Sequence, residues 1–486
     1  MNGIGLVGRL HSRYRPQAEA DRYIEALNPG HDIDFFVLVE PGMGYLVDSL
    51  CRYRPNSRAV ILHVDTAFRE FGNRHAGVPE WYPDSGKTVQ EFLESEIQEG
   101  ASTRIVEWRP SLSVYGKACL ELVRESAEFI KRADASRRTV AAFGKRWVRN
   151  FFRNLTLLQT VLLYRPMDVP IVVTGSGPSL EAALPEIRAA GNGVFVLASS
   201  SSLPALRAGG VTPDMVIGTD GGGWALMHLY ACFRVGAVSP LKLACALSAA
   251  IPSRCSESPV LPISDGSLWQ TLALNAAGIP SVLVPQRGTV TATALELALS
   301  IGTCGVFLAG MDLSVGDIRS HARPYGFDHL FFGTASRLRP VYSQAFVRSG
   351  EITTGGSHSV YAAWFKTRLA SLRGRVFSLG GGHRVFGHGP SLRAVAHFAE
   401  GGRHESRCGD SFQTIPTKSL SRKRCGRALE ALAVALKDPK HSAILVGELA
   451  PLLFPSRPVA SFGDIAGDVA ATLRDIAGRY CGEYHG

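Results

Sequence analysis

Between Val169 and Leu313 short apolar, β-branched runs alternate with helix-length stretches: VPIVVTG, GVFVLAS, DMVIGTD, VLPIS, SVLVP and GVFLAGMD, with Gly/Pro/Ser turns between most of them. Continuous apolar runs of this length suit strands buried on both faces, and their alternation with helices specifies a doubly wound, mostly parallel α/β sheet. Ligands of such sheets collect at the carboxyl ends of the strands, so the residues just after each run carry the functional question.

A second α/β unit precedes it. DIDFFVLVEPGMGYLVDSL reads as a strand over Phe35–Val39, a turn with Gly42 and Gly44, and an amphipathic helix, and the next strand, AVILHVD, ends in Asp65. This is one right-handed βαβ unit of a Rossmann-like N-terminal domain. Its glycines either admit a nucleotide or only permit a tight strand-to-helix turn. Residues from about 100 to 160 read as helical. Phe143, Trp147, Phe151 and Leu155 recur every fourth residue, with Lys145, Arg149 and Arg153 on another face. That pattern describes an amphipathic connecting helix with solvated charges more readily than a nucleic-acid or membrane-surface element. After about residue 400 the strand signals stop, and SLSRKRCGRALEALAVALKD and SFGDIAGDVAATLRDIAGRY read as two helices of a small α-helical C-terminal domain. The expected division is 1–135, 136–400 and 401–486, consistent with roughly 100 to 200 residues per domain.

With 45% hydrophobic and 19% charged residues the chain can bury large cores, which excludes bulk disorder. No apolar run reaches the ~18 to 20 residues of a membrane span, and MNGIGLVGRLHSRYRP lacks a secretory apolar core, so a soluble, cytoplasmic protein is expected. The nine cysteines are odd in number and scattered, without CxxC or HExxH, so neither a disulfide scaffold nor a metal site is indicated. The formal charge of +10 is spread along the chain and selects no partner, nucleic acid included.

The strongest local signal is Ile171-Val-Val-Thr followed by Gly175-Ser176-Gly177-Pro178-Ser179, a strand running into a turn at a helix start. Glycine lets backbone approach an oxyanion, Pro178 pre-sets a helical φ, and amides with the Ser176 and Ser179 hydroxyls can hold a phosphate at the helix's positive end. Pro185 places the main helix start near Leu184. The dinucleotide fingerprint fails, because Leu180 replaces the third small residue and Ala198-Ser199-Ser200 stands where the ribose-binding acid belongs. The only GKT, Gly86-Lys87-Thr88, has Trp81 in place of the leading Walker glycine. Other strand ends contribute Ser199 to Ser202, Asp220 with Gly221 to Gly223, Asp265-Gly266, Gly288-Thr289-Val290-Thr291 and Met311-Asp312, short polar groups suited to a ribose, a base and a phosphate. His321 and His358 are the candidate bases for an acceptor hydroxyl.

HSRYRPQAEADRYIEAL, FGKRWVRNFFRNL, IVVTGSGPSLEAALPEI, GVTPDMVIGTD, GTVTATALELALSIGTCGVFLAGMDLS and VYAAWFKTRLASLRGRVFSLGGG, in that order, resemble the motility accessory factor (Maf) proteins over most of residues 8 to 385. The resemblance implies a flagellin glycosyltransferase that moves a nonulosonic acid, of pseudaminic or legionaminic type, from a CMP-activated donor to Ser or Thr hydroxyls and supports motility. The central domain is also similar to bacterial sialyltransferases that use CMP-sialic acid. By that resemblance Gly175, Ser176, Gly177, Pro178 and Ser179 contact CMP, Ser199, Asp220, Thr289 and Thr291 complete the rim with Asp312 nearby, and His321, with His358 second, takes the acceptor proton. No metal or other cofactor is required, and homo-oligomerisation is left open. The same domain family includes hydroxymethylpterin pyrophosphokinase-like proteins, for which Asp220 and Asp312 would hold Mg²⁺ with ATP. A non-catalytic flagellin-binding protein on the same fold is the third reading.

Overall fold

The computed structural model describes residues 10–30, 33–55, 57–69, 77–97, 101–232, 241–313, 321–341, 357–372, 374–380, 411–417, 421–457 and 465–481. The chain divides into two compact units, Met1–Lys145 with Pro439–Val469, and Arg146–Asp438 with Ala470–Gly486.

The first unit is built on a four-stranded, all-parallel sheet of β1 (Phe35–Val39), β2 (Arg58–Leu62), β3 (Glu80–Trp81) and β4 (Thr103–Glu107), in the order β3-β2-β1-β4. All five residues of β1 are buried, as an apolar run covered on both faces requires. Helices α1 (Pro16–Leu27) and α2 (Tyr45–Tyr53) pack together and bury Phe36 and Leu38 of β1, while α3 (Val89–Glu96) covers Val37 and Val39. The βαβ unit expected from the sequence is present, with β1 and β2 in parallel register.

At the exit of β1, Gly42 and Gly44 both have positive φ, and a Cβ on Gly42 would fall on the His11 imidazole, whose Nε2 accepts the Met43 N–H at 3.0 Å. Glu40 is fully buried at φ 45°, an uncommon conformation for a side-chain-bearing residue. Its carboxylate accepts the Val64 N–H at 2.8 Å and pairs with His63 Nδ1 at 3.2 Å, and the other imidazole nitrogen lies 3.4 Å from Glu80. Burial alone would lower the His63 pKa, but the hydrogen bonds and charges of the two carboxylates outweigh it and raise it to about 9.

Helix α4 (Arg109–Tyr115) leads into the 41-residue α5 (Lys117–Leu157), whose amphipathic reading holds in part: Phe151 and Leu155 are fully buried and Lys145 and Arg149 exposed, but Phe143 and Trp147 are only half-buried and Arg153 donates to the Ile251 carbonyl at 2.7 Å. The stripe is wider than expected, since Val148 and Phe152 are also fully buried.

The second unit carries a ten-stranded sheet. Its strands are β5 (Thr160–Tyr164), β6 (Ile171–Thr174), β7 (Phe195–Ser199), β8 (Met215–Gly218), β9 (Lys242–Ala246), β10 (Val260–Ser264), β11 (Val282–Leu283), β12 (Val306–Ala309), β13 (Val376–Ser378) and β14 (Phe412–Pro416). The order is β13-β12-β6-β7-β8-β9-β10-β5-β14, with β11 beside β10, and every pairing is parallel except β14 with β5. The chain winds outward from β6 to β10, then returns to place β12 and β13 on the other side of β6. The topological switch point therefore lies between β6 and β12.

Helices α6 (Leu180–Ala190), α7 (Leu203–Ala208), α8 (Gly223–Cys232), α9 (Leu268–Ala277), α10 (Val290–Ile301), α11 (Asp328–Gly333) and α12 (Ser357–Ala370) follow in chain order. Four expectations are corrected. Residues 103–107, within the stretch read as helical, form strand β4 beside β1. Strand signals do not end near residue 400, because β14 closes one edge of the sheet. The C-terminal stretch forms three helices rather than two, Ser421–Ala435, Pro439–Leu453 and Ala466–Cys481. Helix α6 starts at Leu180, with Pro185 inside it, rather than near Leu184.

Candidate functional site

The exits of β6 and β12, the two strands that flank the switch point, are locked together. The Gly175 N–H donates to the Ala309 carbonyl at 2.8 Å, and the Gly177 N–H to the Gly310 carbonyl at 2.9 Å. Glycine is required on both sides. A Cβ on Gly175 would approach the Gly310 oxygen to 2.5 Å, one on Gly177 would land on the Asp312 carboxylate, and Gly310 has φ 68°. Pro178 and Ser179 complete the turn, and one oxygen of Asp312 accepts the Ser179 N–H at 3.1 Å and its hydroxyl at 3.0 Å. The amide and hydroxyl that the sequence offers to a phosphate are thus held by a carboxylate of the chain itself, the ligand type a helix N-terminus favours.

The segment carrying His321 is laid along this turn. The Ala322 N–H donates to the Ser176 carbonyl at 2.8 Å, and the Arg323 N–H to the Glu181 carboxylate on the first turn of α6 at 2.9 Å. His321 stacks on Tyr325, with ring centroids 3.9 Å apart and planes 10° apart. The Tyr325 hydroxyl reaches His228 Nε2 on α8 at 3.4 Å, and His228 also packs on Phe327 at 4.4 Å. Burial lowers the His228 pKa to about 4, against the pull of the nearby Asp220 carboxylate, so its ring is neutral at pH 7.

The remaining strand ends are arranged as follows. The Ser199 hydroxyl lies 3.2 Å from that of Ser201, and Ser202 links the Ser199 carbonyl at 2.9 Å to the Thr174 hydroxyl at 2.8 Å. Asp220 is exposed and accepts the Gly222 N–H at 2.7 Å. A Cβ on Gly221 would fall on the Trp147 indole, so packing against α5 alone accounts for that glycine, whereas the space beside Gly223 is open. Thr289 caps α10 by accepting the Ala292 N–H at 3.0 Å, and its hydroxyl lies 3.2 Å from that of Thr291. His358 is in the first turn of α12, and its side chain lies outside the described residues. Three residues on, Tyr361 stands 3.4 Å from a Cβ placed on Gly288. The structure thus brings Gly175 to Ser179, Asp312 and His321 together, and places Ser199, Asp220, Thr289 and Thr291 at the exits of other strands or the start of α10.

Sequence reasoning missed three supports. Asn154 of α5 donates to the Leu247 and Ala249 carbonyls, both at 2.8 Å, and Asn150 to the Ser248 carbonyl at 3.0 Å, which clamps the exit of β9. Buried Glu296 of α10 is held two-pronged by Arg368 of α12 at 2.9 and 3.0 Å, with Arg287 at 3.6 Å. His228 and Tyr325 form the third. A polar residue every fourth position on α5 signals the first, but nothing in the sequence pairs residues about a hundred positions apart.

Residues 145–317, which run from α5 through Asp312, match the family described as "MptE-like: 6-hydroxymethylpterin diphosphokinase MptE-like". An uncharacterized protein of Treponema pallidum (strain Nichols) is 31% identical over 287 residues, 58% of this chain and 61% of that protein. Another uncharacterized protein of that organism is 29% identical over 116 residues, 23% of this chain and 54% of the other. The chain thus spans less than two thirds of the length of these curated relatives. A solved structure titled "Structure of MAf glycosyltransferase from Magnetospirillum magneticum AMB-1" is similar over 92% of this chain and 78% of that one, with a TM-score of 0.47 and 14% identity. The matching stretch contains the Gly175–Ser179 turn, Asp220, Thr289 and Asp312. No helix among the described residues is long and apolar enough to cross a membrane.

Proposed function

We propose that the chain is a glycosyltransferase that moves a nonulosonic acid from a CMP-activated donor to Ser or Thr hydroxyls of flagellin. The observation that carries this reading is the docking of the His321 segment, through Ala322 and Arg323, onto the Gly175–Ser179 turn at the switch point of the sheet. The position of the turn is where a doubly wound sheet binds its ligand. Displacement at an oxocarbenium-like centre needs the charge of the departing nucleotide phosphate stabilised and a base close to the acceptor hydroxyl. In this reading the one amide of the turn not engaged by the chain itself, that of Ser176, and the Ser176 hydroxyl face the CMP phosphate, Ser199, Asp220, Thr289 and Thr291 approach the nucleoside and sugar, and His321 takes the acceptor proton. The motif resemblance supports it, and a cytoplasmic location fits an unsecreted acceptor.

Intact-mass measurement of flagellin from cells with and without this gene tests the proposal. The expected result is a mass difference of one or more nonulosonate units, and equal masses reject it. Calorimetry with CMP tests the donor separately.

The description of the matching family favours a second reading, a diphosphokinase acting on 6-hydroxymethylpterin. That reading needs Mg²⁺, for which the sequence offers Asp220 and Asp312, yet these leave β8 and β12, three places apart in the sheet, and one oxygen of each already accepts a backbone hydrogen bond. Mg-ATP binding that Asp220→Ala abolishes, with no CMP binding, would favour it.

A further inference from the structure

We propose that Tyr325 and His228 are positioning residues that hold the His321 imidazole in one orientation beside the Gly175–Ser179 turn, an inference that rests on the glycosyltransferase reading above. Three contacts carry it. The backbone after His321 is pinned by the Ser176 carbonyl and the Glu181 carboxylate, which fixes where the ring starts but not how it turns. The nearly parallel stack on Tyr325 at 3.9 Å fixes the plane. Tyr325 is fixed in turn by its hydroxyl against His228 Nε2 and by edge-on packing against Phe327, which itself packs on His228 and Trp224.

The chemistry of the anchor is consistent. A neutral imidazole accepts a hydrogen bond where a protonated one cannot, so His228 can receive the Tyr325 O–H, leaving the phenol ring rather than its hydroxyl to face His321. His228 sits on α8, which follows β8 and Asp220, so the ring chain connects the exit of β8 to the turn after β6. Proton transfer demands a base set to within a fraction of an ångström, and misplacement of about 1 Å costs on the order of a hundredfold in rate. Trp224, exposed at the end of this ring chain, keeps the cluster at the surface, where an acceptor chain can reach it.

The test combines proton NMR of the His321 ring with steady-state transfer of nonulosonate to flagellin. In the wild type the His321 ring protons are expected upfield, shielded by the stacked Tyr325 ring. Tyr325→Leu is expected to remove that shift and lower kcat on the order of tenfold to a hundredfold with the donor KM unchanged. Tyr325→Phe, which keeps the stack but loses the hydrogen bond to His228, is expected to restore the shift and only part of the rate. Should Tyr325→Leu not fold, His228→Leu against His228→Gln gives the same contrast, since only the amide can still accept from the Tyr325 hydroxyl. An unchanged kcat in Tyr325→Leu, with the ring shift lost, overturns the positioning role and leaves the glycosyltransferase reading intact. No transfer by the wild type overturns that reading and this inference with it.

Discussion

One oxygen of Asp312 accepts two hydrogen bonds from Ser179, from the backbone N–H at 3.1 Å and from the side-chain hydroxyl at 3.0 Å, across residues 133 apart in sequence. The pair staples the exits of β6 and β12, and the Cβ that Gly177 lacks would stand in the carboxylate's place. Gly177→Ala must therefore push Asp312 away. The expected cost is about 1 to 3 kcal/mol from overpacking, read as a lower midpoint in chemical denaturation, together with loss of CMP binding in calorimetry. A variant as stable as the wild type would mean that the staple contributes nothing.

Asn154 is buried and satisfies two carbonyls of the loop after β9. Asn154→Ala leaves both acceptors without it, at about 2 to 4 kcal/mol from the penalty for unsatisfied buried groups. Asn150→Ala removes a single, partly buried bond and is expected to cost less than half as much. Equal losses in urea denaturation would contradict the clamp.

Glu296 is a buried carboxylate whose partners are only partly buried, with Arg368 and Arg287 each exposing more than a third of their side chains. Removing one partner of a fully buried pair costs about 3 to 5 kcal/mol. Because water already reaches these guanidinium groups, Arg368→Met is expected to cost about 2 kcal/mol, with Glu296→Gln in the same chain recovering part of it. Recovery absent from thermal melts of the double variant would show that Arg368 acts through its packing instead.

The pH dependence of stability has two limbs. His63 has its pKa raised to about 9, so its contribution is fully present below the unfolded value of 6.5 and is lost as the pH rises through 9. Burial lowers the pKa of His11, and of His228, to about 4. Between pH 6.5 and 4 the unfolded chain binds protons that these two folded rings refuse, so stability falls as the pH falls through that window. Melting temperature measured from pH 4 to 10 is expected to decline at both ends. His63→Gln should flatten the alkaline limb alone, and an unaltered alkaline limb in that variant would refute the assignment.

The strands buried on both faces were legible because they are continuous β-branched and aromatic runs: β1, β6, β7, β8 and β12 stand where their sequences place them. Others were not, among them β4, which lies in a stretch read as helical, and the short β3 and β13. The small residues of KLACA in β9 carry no β-branched signal, TVLLY in β5 follows the long α5 after only two residues, and the Gln and Pro in FQTIP suit an antiparallel edge rather than a sheet interior. At the site, the glycine turn and Asp312 could be read as a strand exit each, but their mutual contact is a property of strand order. His228 is one of 14 histidines, and only the fold brings it to Tyr325.

The bonds from Asn150 and Asn154 have a consequence for how proteins built this way can diversify. They measure the loop after β9 against a rigid rod, so inserting or deleting one residue between Leu247 and Ala249 would slide the carbonyls off their donors. The loop after β10 is different, because Asp265 is held there by Ser267 and Gln270, its own neighbours in the chain. A change in the length of that corner therefore moves Asp265 together with its partners and leaves the frame around Ser179 and Asp312 as it is.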